Sequence, residues 1–114
     1  MKQATTHATK KKPRRDVFRA VADPTRREII KLLSVSTLNM QDIAEHFAMS
    51  RPAVAKHIKI LAESGCLIVA RQGRESVCVL QATALKELHD WSGQYERFWS
   101  QKLQGLDEYL SGGL

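Results

Sequence analysis

Apolar positions along this chain recur at helical spacing in five stretches and in β-branched runs at one place, and the residues between them punctuate the order of elements. Asp16 to Ala22 predicts a short first helix that presents Val17, Phe18 and Val21. Asp23-Pro24 stops it and starts a second, with Asp23 as N-cap, Pro24 at the first helical position and Ile29, Ile30 and Leu33 buried; Arg26 and Arg27 are expected to face solvent. Asn39 caps a third helix, from about Met40 to Phe47, in which Ile43, Ala44 and Phe47 share one face and Asp42 is placed to return a hydrogen bond to the cap's own amide.

After only Ala48 and Met49, Ser50 caps a fourth helix, Arg51 to about Glu63, with Pro52 in its first turn and Gly65 placed to close it. At about 100° per residue, Val54, Ala55, Ile58, Leu61 and Ala62 gather on one side, leaving Arg51, Pro52, Ala53, Lys56 and Lys59 on the rest. Leu67 to Arg71 and Ser76 to Leu80 then read as two strands around Gln72-Gly73-Arg74-Glu75, a hairpin in which glycine supplies the positive φ and Arg71 and Arg74 sit at the tip. If Arg71 faces Ser76, Val69 faces Cys78 and Cys66 falls near Gln81 on the opposite sheet face, a register that brings no disulfide together.

The last stretch predicts one long helix, Ala84 to about Leu110, capped by Thr83. Its seam runs through Leu88, Trp91, Tyr95 and Phe98, then Trp99, Leu103, Leu106 and Leu110, too long for so small a body to cover. It is expected to form a dimer interface with Val17, Phe18 and Val21; an aromatic-lined effector pocket is the alternative. Gly93 and Gly105 interrupt good helix formers and mark close helix approach or a slight bend.

This order of elements predicts a mainly α fold with a two-stranded β wing, a winged helix-turn-helix. The fourth helix could lie in a DNA major groove, small Ala53 allowing close approach, Lys56 reaching a phosphate or guanine, and Arg51 touching base edges or backbone near the helix N-terminus beside Ser50, with Lys59 further along. A Gly-Arg wing tip can follow the phosphate backbone or enter a narrow minor groove. A solvated helix and an ordinary exposed hairpin are the plainer readings of the same residues.

Charge favours the DNA reading. The 114 residues carry a formal net charge of +6, and residues 1–15 alone hold six basic side chains and no acidic one, so the rest is balanced. Between Arg51 and Arg74, five basic residues face one acid, Glu63, which concentrates positive charge on the proposed reading helix and wing. Residues 1–15 have almost no large apolar side chain and are expected to be a disordered basic tail, either adding non-specific phosphate contacts or serving as a solubilising leader; residues 16–114 form one domain. The chain's start lacks the apolar core of a signal peptide and no apolar run approaches a membrane span, so a cytoplasmic protein without membrane contact is expected.

Three segments, ADPTRREIIKLL, MQDIAEHFAMSRPAVAKHIKILAESG and RQGRE, resemble the ArsR/SmtB-type winged-helix transcriptional repressors, and the resemblance covers nearly everything after residue 15. It implies a homodimer paired through its first and last helices, reading a palindromic operator with the second helix of the helix-turn-helix. By position it makes Arg51, Ala53, Lys56 and His57 major-groove or adjoining backbone contacts and Arg71, Gly73 and Arg74 wing contacts. Metal-responsive members carry ELCVCD where this chain has Thr37-Leu38-Asn39-Met40-Gln41-Asp42, with amides at both cysteine positions. Another branch places two histidines on the last helix, whereas His89 here has no second histidine downstream, so the resemblance points to the branch without a metal site and no cofactor is implied.

His57, about 60° from Val54 at the edge of the buried face, either packs or bonds locally or reaches a phosphate. Cys66 and Cys78 read as buried thiols, with a redox switch as the alternative. There is no phosphate loop, nucleophile elbow or HExxH motif, so no enzymatic activity is expected. The sequence thus predicts a homodimeric, sequence-specific repressor binding double-stranded DNA at an inverted repeat, with its own promoter a candidate target; the competing class is a non-catalytic module that docks a protein partner or structured RNA.

Overall fold

The computed structural model describes residues 16–112. Seven elements form the body: α1 (Val17–Ala20), α2 (Pro24–Val35), β1 (Leu38–Asn39), α3 (Met40–Ala44), α4 (Arg51–Glu63), β2 (Leu67–Gln72) and β3 (Glu75–Leu80). Two further helices follow, α5 (Ala82–Gly93) and α6 (Glu96–Gly112). The proposed basic tail, residues 1–15, lies outside the described residues.

Side-chain caps explain most helix starts. Asp16 accepts from the amides of Phe18 (3.0 Å) and Arg19 (3.2 Å), Asp23 from Arg26 (3.0 Å), Asn39 from Asp42 (2.7 Å) and Ser50 from Ala53 (3.3 Å). Each satisfies an amide that the helix leaves without a partner. At the end of α4 the Cys66 amide donates to the Leu61 carbonyl (2.9 Å) and the Gly65 amide to that of Ala62 (3.1 Å), a Schellman closure that requires the left-handed φ of +86° at Gly65.

The sheet is three-stranded, in the order β1-β3-β2, where the sequence predicted two strands. β2 and β3 pair in the expected register, Arg71 with Ser76 and Val69 with Cys78, and Gly73 (φ +63°) and Arg74 form a two-residue turn. The added strand pairs Leu38 with Cys78 and Asn39 with Val77. Two residues are too few to show alternation, so β1 has no signature of its own and exists because β3 offers an open edge. Asn39 is at once strand end and helix cap, and its amide Nδ2 donates to Glu75 Oε2 at the wing (3.3 Å). Among the described residues Asp42 makes no return bond to the backbone amide of Asn39, and the cross-link to Glu75 uses the side-chain amide instead.

Three helical expectations also change. The third helix stops at Ala44, three residues early, because the amides of His46 and Phe47 bond to the carbonyls of Ile43 and Ala44, a tight turn that starts the crossing to α4. The single C-terminal helix is two: Gly93 precedes a break at which the Gln94 and Tyr95 amides bond three residues back to Trp91 and Ser92 (3.2 and 3.0 Å), and Trp99 Nε1 donates to the Ser92 carbonyl (3.2 Å). α5 starts after Gln81 without a side-chain cap, rather than after Thr83.

Arg27 is exposed as expected, whereas Arg26 is drawn half inward, and both fold back onto the end of α1. Arg26 Nε donates to the Ala20 carbonyl (2.7 Å) and Arg27 Nη1 to that of Val21 (2.8 Å). Four-residue α1 has more unsatisfied carbonyls than it can cap itself, and the guanidinium donors of the next helix supply them.

The core lies where α1, α2, α3, α4 and the sheet meet, built from Val17, Ala20, Ile29, Leu33, Ile43, Val54, Ile58, Leu61, Cys66, Leu67, Cys78 and Ala84. It takes up the predicted inner side of α4 and leaves its cationic side outward. None of α6 is buried.

Candidate nucleic-acid interface

Val54, Ile58 and Leu61 anchor α4 in the core, which turns Arg51, Lys56 and Lys59 to solvent with Ala53 half-buried beside them. Ser50, at the exposed start of the helix, uses its Oγ to accept the Ala53 amide. Arg71, Gly73 and Arg74 are exposed at the wing. The nine residues predicted to meet DNA thus fall on two exposed cationic features, one helix and one hairpin tip, with Ala53 and His57 drawn partly inward.

His57 is held by α2. Its Nδ1 is 3.2 Å from Arg26 Nη1 and 3.8 Å from Asp23 Oδ2, and its side chain keeps about a fifth of its surface exposed, at 22%. Of the two readings of this residue the local bond is present, which leaves Nε2 available. The Arg26 amide chiefly holds the Asp23 carboxyl below the ordinary carboxylate range, with the Arg26 charge acting the same way, against the cost of burial. The sequence gives no sign of this link, because Arg26 and His57 are 31 positions apart and each is unremarkable in its own helix.

The apolar seam divides. Val17, expected at a subunit interface, is 1% exposed and belongs to its own core, because α1 is so short that one face must serve to dock it. Val21 and Leu88 are half-buried and pack against that core. Phe18, Trp91, Tyr95, Phe98, Trp99, Leu103 and Leu106 remain exposed, Phe98 at 64%. Phe18 meets Trp91 edge to face at 5.4 Å, and Trp91 meets Tyr95 at 5.7 Å, so the seam continues from α1 across α5 and the bend onto α6. Leu110, at 71% exposure, continues it as expected, and Tyr109, at 78%, joins it without having been singled out from sequence, where its place at i+3 from Leu106 was the available signal.

Cys66 and Cys78 are both fully buried and unpaired. Burial pushes both thiols up, against a weaker opposing hydrogen bond from Ser64 Oγ at Cys66, which is the reverse of what a reactive thiolate needs. Among the described residues no three His, Cys, Asp or Glu side chains come together as a metal-binding group, and no helix is long and apolar enough to cross a membrane.

A family model described as bacterial regulatory protein, arsR family, matches residues 23–68, from the cap of α2 to the start of β2. The chain is similar to the transcriptional repressor SdpR of Bacillus subtilis, 37% identical over 76 residues that span 67% of this chain and 84% of that protein. It is also similar to the HTH-type transcriptional regulator Rv2034 of Mycobacterium tuberculosis, 33% identical over 93 residues, 82% of this chain and 84% of that one. The crystal structure of an ArsR family transcriptional regulator superposes with a TM-score of 0.68 at 31% identity, covering 74% of this chain and 92% of the other.

Proposed function

The chain belongs to the ArsR family of bacterial regulatory proteins, and from that premise we propose that it is a non-enzymatic, DNA-binding transcriptional repressor that acts as a homodimer on an inverted-repeat operator. The observation that carries the reading is the orientation of α4: its apolar side is buried in the core while Arg51, Lys56 and Lys59 stand in solvent beside the arginine-tipped wing. In this reading α4 enters the major groove with Ser50, Arg51, Ala53 and Lys56 nearest the bases, while Lys59 and His57 meet the backbone. Arg71, Gly73 and Arg74 of the wing follow the adjacent phosphates or minor groove.

The exposed seam from Phe18 through Trp91, Tyr95, Phe98, Trp99, Leu103 and Leu106 is the surface proposed to pair two copies. A two-fold axis through that seam makes the same patch self-complementary and sets two reading helices against successive major grooves, about 34 Å apart. The six cations of residues 1–15 add sequence-independent phosphate neutralisation in the same reading. Repression follows by occupancy: a dimer seated on a promoter excludes polymerase.

Selection of bound fragments from genomic DNA by the purified full chain, at physiological salt and with the mass of the complex measured on the same sample, tests this. An enriched inverted repeat held by two copies is the expected result. Absence of any enriched sequence, with binding that disappears as salt rises, would return the basic surface to a protein or RNA partner.

A further inference from the structure

Arg26 reaches three acceptors at once. Its Nε and Nη2 donate to the carbonyls of Ala20 (2.7 Å) and Arg19 (3.3 Å) at the end of α1, and its Nη1 lies 3.2 Å from His57 Nδ1 on α4. A guanidinium is always charged and has donors only, so His57 Nδ1 must accept and the ring proton must sit on Nε2. The competing arrangement, a protonated Nδ1 donating to Asp23, has an Oδ2 at 3.8 Å, too far for a hydrogen bond. Asp23 Oδ2 already accepts the Arg26 amide at 3.0 Å.

His57 follows Ala53 by four positions and Lys56 by one, so its ring borders the outward side of α4, and among the described residues no hydrogen bond is made by Nε2. We propose that Arg26 is a positioning residue for DNA reading: it locks His57 as the Nε2–H tautomer and ties α4 to the end of α1, so that His57 presents a neutral, oriented donor to a backbone phosphate. The proposal rests on the DNA reading above. Because α1 also carries Phe18, which packs on Trp91, the same guanidinium joins the reading helix to the apolar seam. Lysine at this position keeps the charge and loses the planar fork that serves three acceptors.

A neutral donor has a distinctive signature. It contributes affinity without displacing a counterion, so its loss weakens binding and leaves the salt dependence alone, whereas loss of a cation flattens that dependence. The test has two parts. Nitrogen-15 ring shifts of His57 in the DNA-free, unsubstituted protein at neutral pH are expected to show a protonated Nε2 and an unprotonated Nδ1, and Arg26→Lys is expected to mix the tautomers. Binding to the duplex that the unsubstituted protein itself enriches is then measured across a salt series for His57→Ala, Arg26→Lys and the double variant. Each single change should weaken binding about tenfold per half-site with an unchanged slope, and the double variant should be no weaker than either.

An Nδ1–H or cationic ring in the unsubstituted protein overturns the proposal even if Arg26→Lys does not fold. Losses that add in the double variant, or a flattened salt slope in His57→Ala, overturn it while leaving DNA reading intact. If the unsubstituted protein enriches no duplex, the DNA reading fails and the proposal falls with it, whatever the tautomer.

Discussion

Phe98→Ala is the sharpest perturbation of the proposed dimer seam, because Phe98 takes no part in the core of its own protomer. It stands 64% exposed on α6, a helix with no buried residue, with Lys102 Nζ 5.8 Å from its ring centroid. A phenylalanine buries about 200 Å² in full, so covering what is exposed removes on the order of 130 Å² from water. At about 25 cal/mol per Å² that is roughly 3 kcal/mol, of which alanine would retain about a third. A two-fold interface counts the change in both copies, giving a loss of about 4 kcal/mol, or about a thousandfold in the dimer dissociation constant. Sedimentation velocity over a concentration series reads this directly. The control is Val35→Ala, since Val35 is 83% exposed at the far end of α2 and off the seam; it should leave dissociation unchanged. A Phe98→Ala protein that dissociates no more readily than the unsubstituted one, or an unsubstituted protein that is monomeric at micromolar concentration, would refute the assignment of this face.

Three other perturbations probe other parts of the argument. Lys56→Ala should weaken binding on all duplexes alike and lower the log–log salt slope by about 0.9 per protomer if Lys56 meets a phosphate, whereas a base contact would relax preference at one position; selection and salt titration of the variant separate these. Asp23, whose carboxyl is held low chiefly by the Arg26 amide, contributes stability that is present above the ordinary carboxylate pKa and lost as pH falls through the lowered value. Asp23→Asn keeps a cap but removes that titration, so its Tm deficit at neutral pH should shrink below about pH 4, and a deficit constant with pH would contradict the assignment. Gly65→Ala meets no atom within 4 Å, so its expected cost of about 1 kcal/mol in urea unfolding comes from the left-handed φ alone; an unchanged midpoint would show that the turn relaxes.

What was legible in the sequence was local. The bounds of α4, its Ser50 cap, its Gly65 closure and its division into apolar and cationic sides all follow from residues within a few turns of one another. The hairpin register follows in the same way from a two-residue glycine turn, because turn length and strand alternation together leave one pairing. The exposed wing arginines and the long apolar seam were visible for the same reason, as patterns repeated along single elements.

Tertiary structure decided whatever depends on a partner remote in the chain. Leu38 and Asn39 become a strand only because β3 has a free edge, some forty positions away. Val17 goes to the core and Phe18 to the seam because the docking of α1, and not its pattern of apolar residues, selects which face is inside. The break after Gly93 is local, and Gly93 marked it in the sequence only as a close approach or slight bend, because the apolar seam continues through the turn at Gln94 and Tyr95. Arg26, an ordinary basic residue in an amphipathic helix, becomes a link between α1 and the reading helix because the fold places two carbonyls at the end of α1 and one imidazole nitrogen within its reach. Helical period and capping are encoded over a few residues, whereas the choice of hydrogen-bond partner across elements is made by packing, and packing is a property of the assembled fold.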